Sequence, residues 1–360
     1  MHTFSEALSL YNEGKYMEAF QILKSIEQTD DVKYYLALCY FYGNGCKYNY
    51  QKSFDLFATL AISKYEESFY YLAYQYEYGL GVQRNIRQAI LWYKYSIATN
   101  NPNSMYRLGY LYSKLNMKKS LKYLDMAISQ KHIKAIMLKA KLIEDNDEKL
   151  KLYQLGVDLG DEKAIYYLSK YYIDNDIKNP NLKNYLNLSI KLGNVYSYPL
   201  YAKALLEGKV LDFDPVLGIK ILEAGARIGS NECKLMLADH YLNGEYIDKS
   251  IYKAIKYYQD VAKSNDKRAL YSLAKIYYEN KEFKDNDRLV MFYLTLIANL
   301  KDADANYYCG LMYEKGICTK VDLNKSYEFY KCACDLEYKE AARALLRFKK
   351  TFNNSYIIKE

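Results

Sequence analysis

Histidine is almost absent from this sequence of 360 residues, which contains only His2, His132 and His240. The three residues lie far apart along the chain. Zinc centres and activated serine or cysteine nucleophiles usually need histidine close to other polar groups. The sequence therefore predicts no metal site, no catalytic residues and no cofactor, and we expect the protein not to be an enzyme.

Long hydrophobic runs are missing as well. No stretch approaches the roughly 20 apolar residues that a membrane-spanning helix requires. The first residues, MHTFSEALSLYNEGKY, include acidic side chains and no basic region, unlike a secretory signal. We therefore expect no membrane insertion and a cytoplasmic location.

Cysteine shows no regular pattern. The chain has seven cysteines, an odd number, at irregular spacing. Because no secretory signal is recognised, this arrangement favours reduced thiols over a disulfide framework. We expect most of the cysteines to pack as small core residues.

The excess of basic residues is small and is not concentrated on one predicted surface. The formal net charge is +8, and residues 339–360, with six basic and two acidic side chains, supply about half of it. Elsewhere acidic and basic residues are interspersed. A helical groove that binds nucleic acid would carry a basic stripe, so we predict no nucleic-acid partner.

Tyrosine is abundant, with 45 residues, and residues 66–101 show where it occurs: EESFYYLAYQYEYGLGVQRNIRQAILWYKYSIATNN. Leu72 and Ala73 belong to one apolar run that ends at the turn Gly79–Gly81, and a second apolar run follows at helical spacing. This pattern predicts two amphipathic helices around a glycine turn. Such a pair cannot bury both apolar faces alone, so it needs a similar pair on each side.

The same pattern recurs along the chain. The leucine of the first helix, or a residue that replaces it, returns at steps of 36, 36, 30, 30, 33, 36, 36 and 36 residues. Such a period is typical of a stack of helix pairs rather than of a globule with one core. We call these nine positions the spine: Leu36, Leu72, Leu108, Leu138, Leu168, Tyr201, Leu237, Leu273 and Cys309.

The pattern resembles the Sel-1-like repeat, a variant of the tetratricopeptide repeat. The features that match are a Leu-Ala or Leu-Gly pair, a tyrosine, a Gly-x-Gly-Val turn, and an alanine with Trp-Tyr beyond it. The resemblance implies an all-α fold, a right-handed α-α superhelix (solenoid), that acts as a scaffold for other proteins. The best matches are Leu72–Ala98, Leu108–Tyr112, Leu237–Ala262 and Cys309–Cys334.

We predict a single solenoid of about 21 helices over residues 1–360. Residues 3–30 follow the plain tetratricopeptide pattern and form a first helix pair, residues 31–338 contain nine Sel-1-like repeats, and residues 339–360 form a capping helix and tail. The capping helix is expected to run from Lys339 to about Lys350, with a frayed end after it. No segment has a strand pattern.

The candidate binding surface is the concave face, which the first helices of stacked pairs line. Positions two before, two after and five after each spine residue are expected to point out from this face. Tyrosine offers a large rigid ring and one hydroxyl, and it is enriched in binding hot spots. Two interpretations stay open: the rings contact a partner directly, or they pack between neighbouring first helices. The candidate residues are Tyr34, Leu38, Phe41, Tyr70, Tyr74, Tyr106, Tyr110, Tyr166, Tyr271 and Tyr307.

The resemblance and this surface together predict a non-catalytic scaffold or adaptor that binds a protein or peptide in its concave groove, with a monomer favoured. A narrower alternative is an immunity protein that neutralises a bacterial effector. A third alternative is a hydrolase or a cell-wall-ligand binder like some secreted relatives of the family. The missing signal and the unpaired cysteines argue against the third alternative.

Overall fold

The computed structural model describes residues 3–280, 282–283, 285–350 and 355–358. Within these residues there are 21 α-helices and two short β-strands. This confirms the predicted all-α class and the number of helices. The predicted frayed end falls largely on residues 351–354 and 359–360, which lie outside the described residues.

The helices form antiparallel pairs in chain order. Most of them begin with a side-chain oxygen that accepts a backbone N–H of the first turn, as Asn85 does for Gln88 at 3.1 Å. The elements are α1 Phe4–Asn12, α2 Tyr16–Ser25, α3 Asp30–Tyr42, α4 Tyr50–Ile62, α5 Ser68–Tyr78, α6 Ile86–Ala98, α7 Pro102–Tyr112, α8 Met117–Ser129, α9 Ile133–Leu142, α10 Asn146–Asp158, α11 Glu162–Asp174, α12 Leu182–Lys191, α13 Ser197–Glu207, α14 Pro215–Arg227, α15 Asn231–Asn243, α16 Ile251–Ala262, α17 Lys267–Glu279, α18 Asn286–Asn299, α19 Ala303–Lys315, α20 Leu323–Asp335, α21 Lys339–Leu345, β1 Phe348–Lys350 and β2 Tyr356–Ile358.

The chain divides into two compact units, Met1–Leu168 and Ser169–Glu360, and the division falls inside α11. In unit 1, each helix from α1 to α10 packs against the next helix in the sequence. In unit 2, the helices from α12 to α21 do the same. Each unit is therefore a stack of helical hairpins, as the period of the spine predicts. That both units form a single solenoid stays a prediction.

Neither unit has one central core. In unit 1, Leu36, Leu72 and Leu108 belong to three different buried clusters, each formed by neighbouring helix pairs. Unit 2 is built in the same way, with successive clusters around Leu237, Leu273 and the last helices. Because each cluster involves only adjacent pairs, the stability of a repeat depends on its immediate neighbours.

Eight of the nine predicted spine residues are buried, between 0 % and 5 % exposed. The exception is Leu138, which is half-buried. In α7 the spine residue Leu108 lies seven residues after the cap, Asn101; in α9 the same distance from the cap leads to Lys139. The prediction of Leu138 as a spine residue is therefore wrong by one position.

Lys139 occupies this buried position through its charge. Its Nζ lies 2.6 Å from a carboxylate oxygen of Asp125 in α8 and 2.6 Å from one of Glu148 in α10. The lysine side chain is 12 % exposed, whereas both acids are about half exposed. A buried ammonium needs such partners, and a pattern that looks for apolar residues passes over it.

Glycine is required at the turn inside the first helix pairs. Gly79 has a φ of 72° and ends α5. Gly81 also has a φ of 72°, and a Cβ there would lie 2.1 Å from the carbonyl oxygen of Tyr50, the first residue of α4. Gly45 makes the same close approach to Tyr16, the first residue of α2. These glycines adopt the positive φ that other residues rarely take, and the second glycine of each turn also touches the preceding pair.

A second left-handed position marks the turn between one helix pair and the next. It lies eight residues before each spine residue from Leu72 to Cys309, with Lys139 in place of Leu138, and Glu337 and Leu345 extend the same spacing into α21. Lys131 lies eight residues before Lys139 and seven before Leu138, which supports Lys139 as the residue at the spine position of α9. The residues at this position are Lys64, Asn100, Lys131, Gly160, Gly193, Gly229, Asn265, Lys301 and Glu337.

The C-terminal segment differs from the prediction. Helix α21 ends at Leu345, and β1 and β2 then pair as an antiparallel hairpin. Phe348 is 7 % exposed, and the ring of Tyr356 stacks on that of Tyr327 in α20 with 3.7 Å between centroids. Burial of these rings stabilises the hairpin over a continued helix. The expectation of a helix to about Lys350, and of no strand, is therefore wrong.

Candidate functional site

Aromatic rings from α3, α5 and α7 form a surface in unit 1 that we call the aromatic face; the rings of α3 and α5 contact each other, and Arg107 joins those of α5 to those of α7. The ring centroid of Phe41 in α3 lies 5.6 Å from that of Tyr71 and 5.9 Å from that of Tyr74 in α5. Within α5, the centroids of Tyr74 and Tyr78 are 4.5 Å apart, because residues at a spacing of four share one side of a helix. Six of the ten predicted site residues belong to this face. Its members are Tyr34, Phe41, Tyr42, Tyr70, Tyr71, Tyr74, Tyr78, Tyr106 and Tyr110.

The rings of the aromatic face differ in exposure. Tyr42, Tyr78 and Tyr110 are 56 %, 47 % and 39 % exposed. Tyr34 and Tyr70 are half-buried, and burial raises the pKa of each hydroxyl to about 12. The two interpretations of the tyrosines therefore apply to different members. Tyr34 and Tyr70 pack between helices, whereas the exposed rings are accessible to a partner.

Arg107 of α7 lies among the rings. Its guanidinium carbon is 5.1 Å from the ring centroid of Tyr110 and 5.2 Å from that of Tyr78. Its Nη2 also donates a hydrogen bond of 2.6 Å to the Tyr78 hydroxyl. The electron-rich faces of tyrosine rings attract a cation. The side chain of Arg107 is only 12 % exposed, so it lies beneath the exposed rings. Its contacts with Tyr78 hold α7 against α5.

Glu77 of α5 balances this charge. One of its carboxylate oxygens accepts a hydrogen bond of 3.0 Å from Arg107 Nε and one of 2.7 Å from the Tyr93 hydroxyl of α6. Arg107 Nη2 donates to its other oxygen. Glu77 is 5 % exposed, and burial followed by this carboxylate raises the pKa of Tyr93. The buried charges are therefore paired and hydrogen-bonded, the condition under which they are tolerated.

The same acid–tyrosine–arginine arrangement recurs at the end of unit 2. The Tyr330 hydroxyl donates a hydrogen bond of 2.7 Å to Glu314, and Arg347 donates two, at 2.7 and 2.9 Å. Glu314 is 6 % exposed, but Arg347 is 48 % exposed. In both units the acid lies five residues after a spine residue, and the tyrosine lies 16 residues after the acid.

The other four predicted site residues have different surroundings. Leu38 is 7 % exposed and belongs to a buried cluster, so the expectation that it faces a partner is not met. Tyr166 in α11 has its ring centroid 5.3 Å from that of Tyr167. In unit 2, the Tyr271 hydroxyl donates to Asp302 at 2.7 Å, and the ring of Tyr307 stacks on that of Tyr338 at 4.9 Å.

The sequence pattern does not predict Glu77, Tyr93 or Arg107 as site residues. Aromatic character at fixed distances from the spine favours Phe41, five residues after a spine residue, and not Glu77 at the same place one repeat later. A usable signal was present, because an acid at this position accompanies a tyrosine 16 residues further on. A buried tyrosine needs a hydrogen-bond partner, and the acid supplies it.

The chemistry that the aromatic face offers is ring surface and phenol hydroxyls. In the part of the chain that the structure describes, no three His, Cys, Asp or Glu side chains are grouped to hold a metal ion. Among the described helices, none has both the length and the apolar character to cross a membrane.

The sequence model of the Sel1 repeat matches residues 31–61, 68–98, 102–132, 232–266 and 303–338. The first three segments lie in unit 1, where they include the helices of the aromatic face, and the last two lie in unit 2. No curated protein matches the chain.

Among solved structures, the fold is similar to that of a Sel1 repeat protein from Oxalobacter formigenes, with 15 % identity, 94 % of this chain and 93 % of that chain covered, and a TM-score of 0.56. A protective antigen of uropathogenic Escherichia coli matches with 19 % identity, 91 % and 81 % coverage, and a TM-score of 0.44. An immunity protein from Pseudomonas aeruginosa matches with 21 % identity, 57 % and 82 % coverage, and a TM-score of 0.36. The chain therefore carries the Sel1 repeat in five segments, and its fold is similar to that of a Sel1 repeat protein.

Proposed function

We propose that the protein is a non-catalytic scaffold or adaptor that holds a protein or peptide partner against the aromatic face of unit 1. The observation that carries the proposal is the continuity of this face, on which Tyr42, Tyr78 and Tyr110 are exposed while touching further rings or Arg107. Rigid exposed tyrosines supply large contact area and hydroxyl groups with little loss of side-chain entropy.

The face is held in place before any partner arrives. Arg107 and Glu77 fix α5 against α7 from beneath, and Phe41 joins α3 to α5. Since the rings are ordered in advance, binding would not have to immobilise them, and this raises affinity. Such a surface suits a partner that binds reversibly and is not chemically changed.

The proposal is tested with the double variant Tyr42→Ala and Tyr74→Ala. We expect the amount of partner that the immobilised chain captures from native lysate to fall about tenfold or more, because two rings of a contact surface are lost. The melting temperature, followed by circular dichroism, should change little, since Tyr42 is 56 % exposed at the end of α3 and the ring of Tyr74 is only partly buried.

The matched control is the double variant Tyr95→Ala and Tyr196→Ala, which removes two rings that are 52 % and 73 % exposed and lie outside the face. It should capture the partner at the original level. Equal losses in both variants would contradict the proposal. The identity of the captured protein then separates a general adaptor from an immunity protein, whose partner would be a bacterial effector.

A further inference from the structure

A cleft of about 360 Å³ lies at one end of the aromatic face, between the turns that follow α5 and α7. Tyr78, Tyr110, Leu111 and Leu115 give it an apolar wall, and Leu115 is 67 % exposed. Arg84 and Lys114 also line it, and both are exposed. The cleft thus combines apolar surface with two cationic groups.

Neither cation of this cleft has a carboxylate partner in the described part of the chain. Arg84 Nε donates to the backbone oxygen of Glu77 at 3.0 Å, which orients its guanidinium without neutralising it. The one carboxylate that lines the cleft, that of Glu77, is already bound by Arg107 and Tyr93. The positive charge at the cleft is therefore unbalanced.

The surrounding sequence adds to this positive charge. Between residues 78 and 124 there is no aspartate or glutamate, so in this segment the expectation of interspersed charges outside the tail is wrong. A segment this long without an acid strengthens the positive potential at the cleft, which attracts negatively charged partners. Its basic residues are Arg84, Arg87, Lys94, Arg107, Lys114, Lys118, Lys119 and Lys122.

We propose that this cleft binds an acidic peptide segment that also carries apolar side chains. Carboxylates of the segment would pair with Arg84 and Lys114, and its apolar side chains would cover Leu111 and Leu115. Charge-assisted hydrogen bonds of this kind are stronger than neutral ones. The apolar wall favours a peptide over a nucleic acid, whose phosphates would leave it bare. This inference rests on the proposed scaffold function and states the chemistry of the partner.

The test uses fluorescein-labelled peptides and the full-length chain in fluorescence anisotropy. One peptide alternates glutamate and leucine; a second has lysine for each glutamate; a third has serine for each leucine. We expect the first to bind, the second not to bind, and the third to bind about tenfold more weakly. Arg84→Gln and Lys114→Gln should each lower the affinity for the first peptide about tenfold.

Arg87→Gln is the matched control, because it removes the same charge from an exposed residue of α6 that does not line the cleft. It should change the affinity less than about twofold. The inference is overturned if Arg87→Gln acts as strongly as Arg84→Gln, if the serine peptide binds equally well, or if no peptide binds. It is also overturned if an oligothymidine of the same charge binds more tightly with a steeper salt dependence.

The two proposals fail separately. If the Arg84→Gln and Lys114→Gln variants keep the captured partner while the Tyr42→Ala and Tyr74→Ala variant loses it, the scaffold function stands and the cleft inference falls. If both sets of variants keep the partner, the aromatic face is not the binding surface.

Discussion

At the scale of single residues, unit 1 and unit 2 each pair a buried tyrosine hydroxyl with a carboxylate. Tyrosines at the buried position of the second helices place a hydroxyl in the core, and each finds an acid on the first helix: Tyr93 with Glu77, Tyr330 with Glu314. Phe57, which fills the corresponding place in the first repeat, brings no hydroxyl and needs no acid. Leaving such a buried polar group without a partner costs about 1–3 kcal/mol.

Glu77→Ala should lower the free energy of unfolding by about 3–5 kcal/mol, because it leaves the guanidinium of Arg107 buried and without its counter-charge. Glu314→Ala should cost less, since Arg347 is 48 % exposed and water can solvate it. Chemical denaturation of both variants measures the difference.

The control for this prediction is Glu77→Ala combined with Arg107→Met, which removes both charges and should recover much of the lost stability. Equal losses for Glu77→Ala and Glu314→Ala, or an additive double variant, would contradict it.

The residue scale is also where the sequence was least informative. Tyr34, Tyr70 and Tyr110 could be placed on the aromatic face by their spacing from the spine, because helical geometry fixes which positions share a side. Lys139 could not be placed, since its burial depends on two acids from different helices. The unbalanced charge of Arg84 likewise appears only when the fold shows which acids lie nearby and which are already paired.

At the scale of the helix pair, backbone conformation sets the spacing of the repeats. In the described residues, one left-handed residue follows the second helix of each pair from α4 to α20, whether or not it is a glycine. An L-residue with a side chain pays about 1–2 kcal/mol in this conformation, whereas glycine adopts it freely. The repeats therefore differ in local strain although their turns have the same shape.

Lys131→Gly should raise the free energy of unfolding by about 0.5–1 kcal/mol, the strain relieved less the entropy that glycine gains when unfolded. Gly160→Lys should lower it by a similar amount. Gly160 has a φ of 78°, and no heavy atom lies within 4 Å of a Cβ built on it, so the effect comes from the backbone alone. Denaturation midpoints of the two variants should move in opposite directions; a shift of both in one direction would refute the strain argument.

The C-terminal hairpin was not predictable at this scale. Three-residue strands are too short to show an alternating pattern, and the contacts that stabilise the hairpin join Phe348 and Tyr356 to Tyr327, which lies on a different element. Local sequence favoured a longer helix, and tertiary contact between rings overrode that preference.

At the scale of the whole molecule, half-buried tyrosines make stability depend on alkaline pH. Burial raises the pKa of Tyr11, Tyr34 and Tyr70 to about 12, whereas the pKa of tyrosine in an unfolded chain is about 10. Below pH about 10 both states keep the proton and the full stability is present. Between pH about 10 and 12 only the unfolded state loses protons, so stability falls as the pH rises.

We therefore expect the denaturation midpoint to decrease steadily over this pH range. Tyrosinate absorbance of the folded protein should show one group of phenols that ionise near pH 10 and a second group that ionise at higher pH. The double variant Tyr34→Phe and Tyr70→Phe should flatten part of the decrease. A midpoint that is constant from pH about 9 to 12 would contradict the assignment.

The stacked helical hairpins of each unit could be predicted from the sequence because the pattern that specifies them is local and repeated. Each spine residue, glycine turn and helix cap indicates the structure of one hairpin, and the same pattern recurs in the neighbouring hairpins. The site depends on which side chains meet across hairpins, and there the sequence predicted the rings but neither Arg107 beneath them nor the cleft beside them.

Gly45 and Gly81 each touch the first residue of the second helix before them, and they are separated by one full repeat of 36 residues. A gene that copies or deletes the coding block between these two glycines keeps its reading frame, and each turn still meets the same type of backbone site. Evolution can therefore lengthen or shorten this part of the array by duplication alone, without first selecting a new interface.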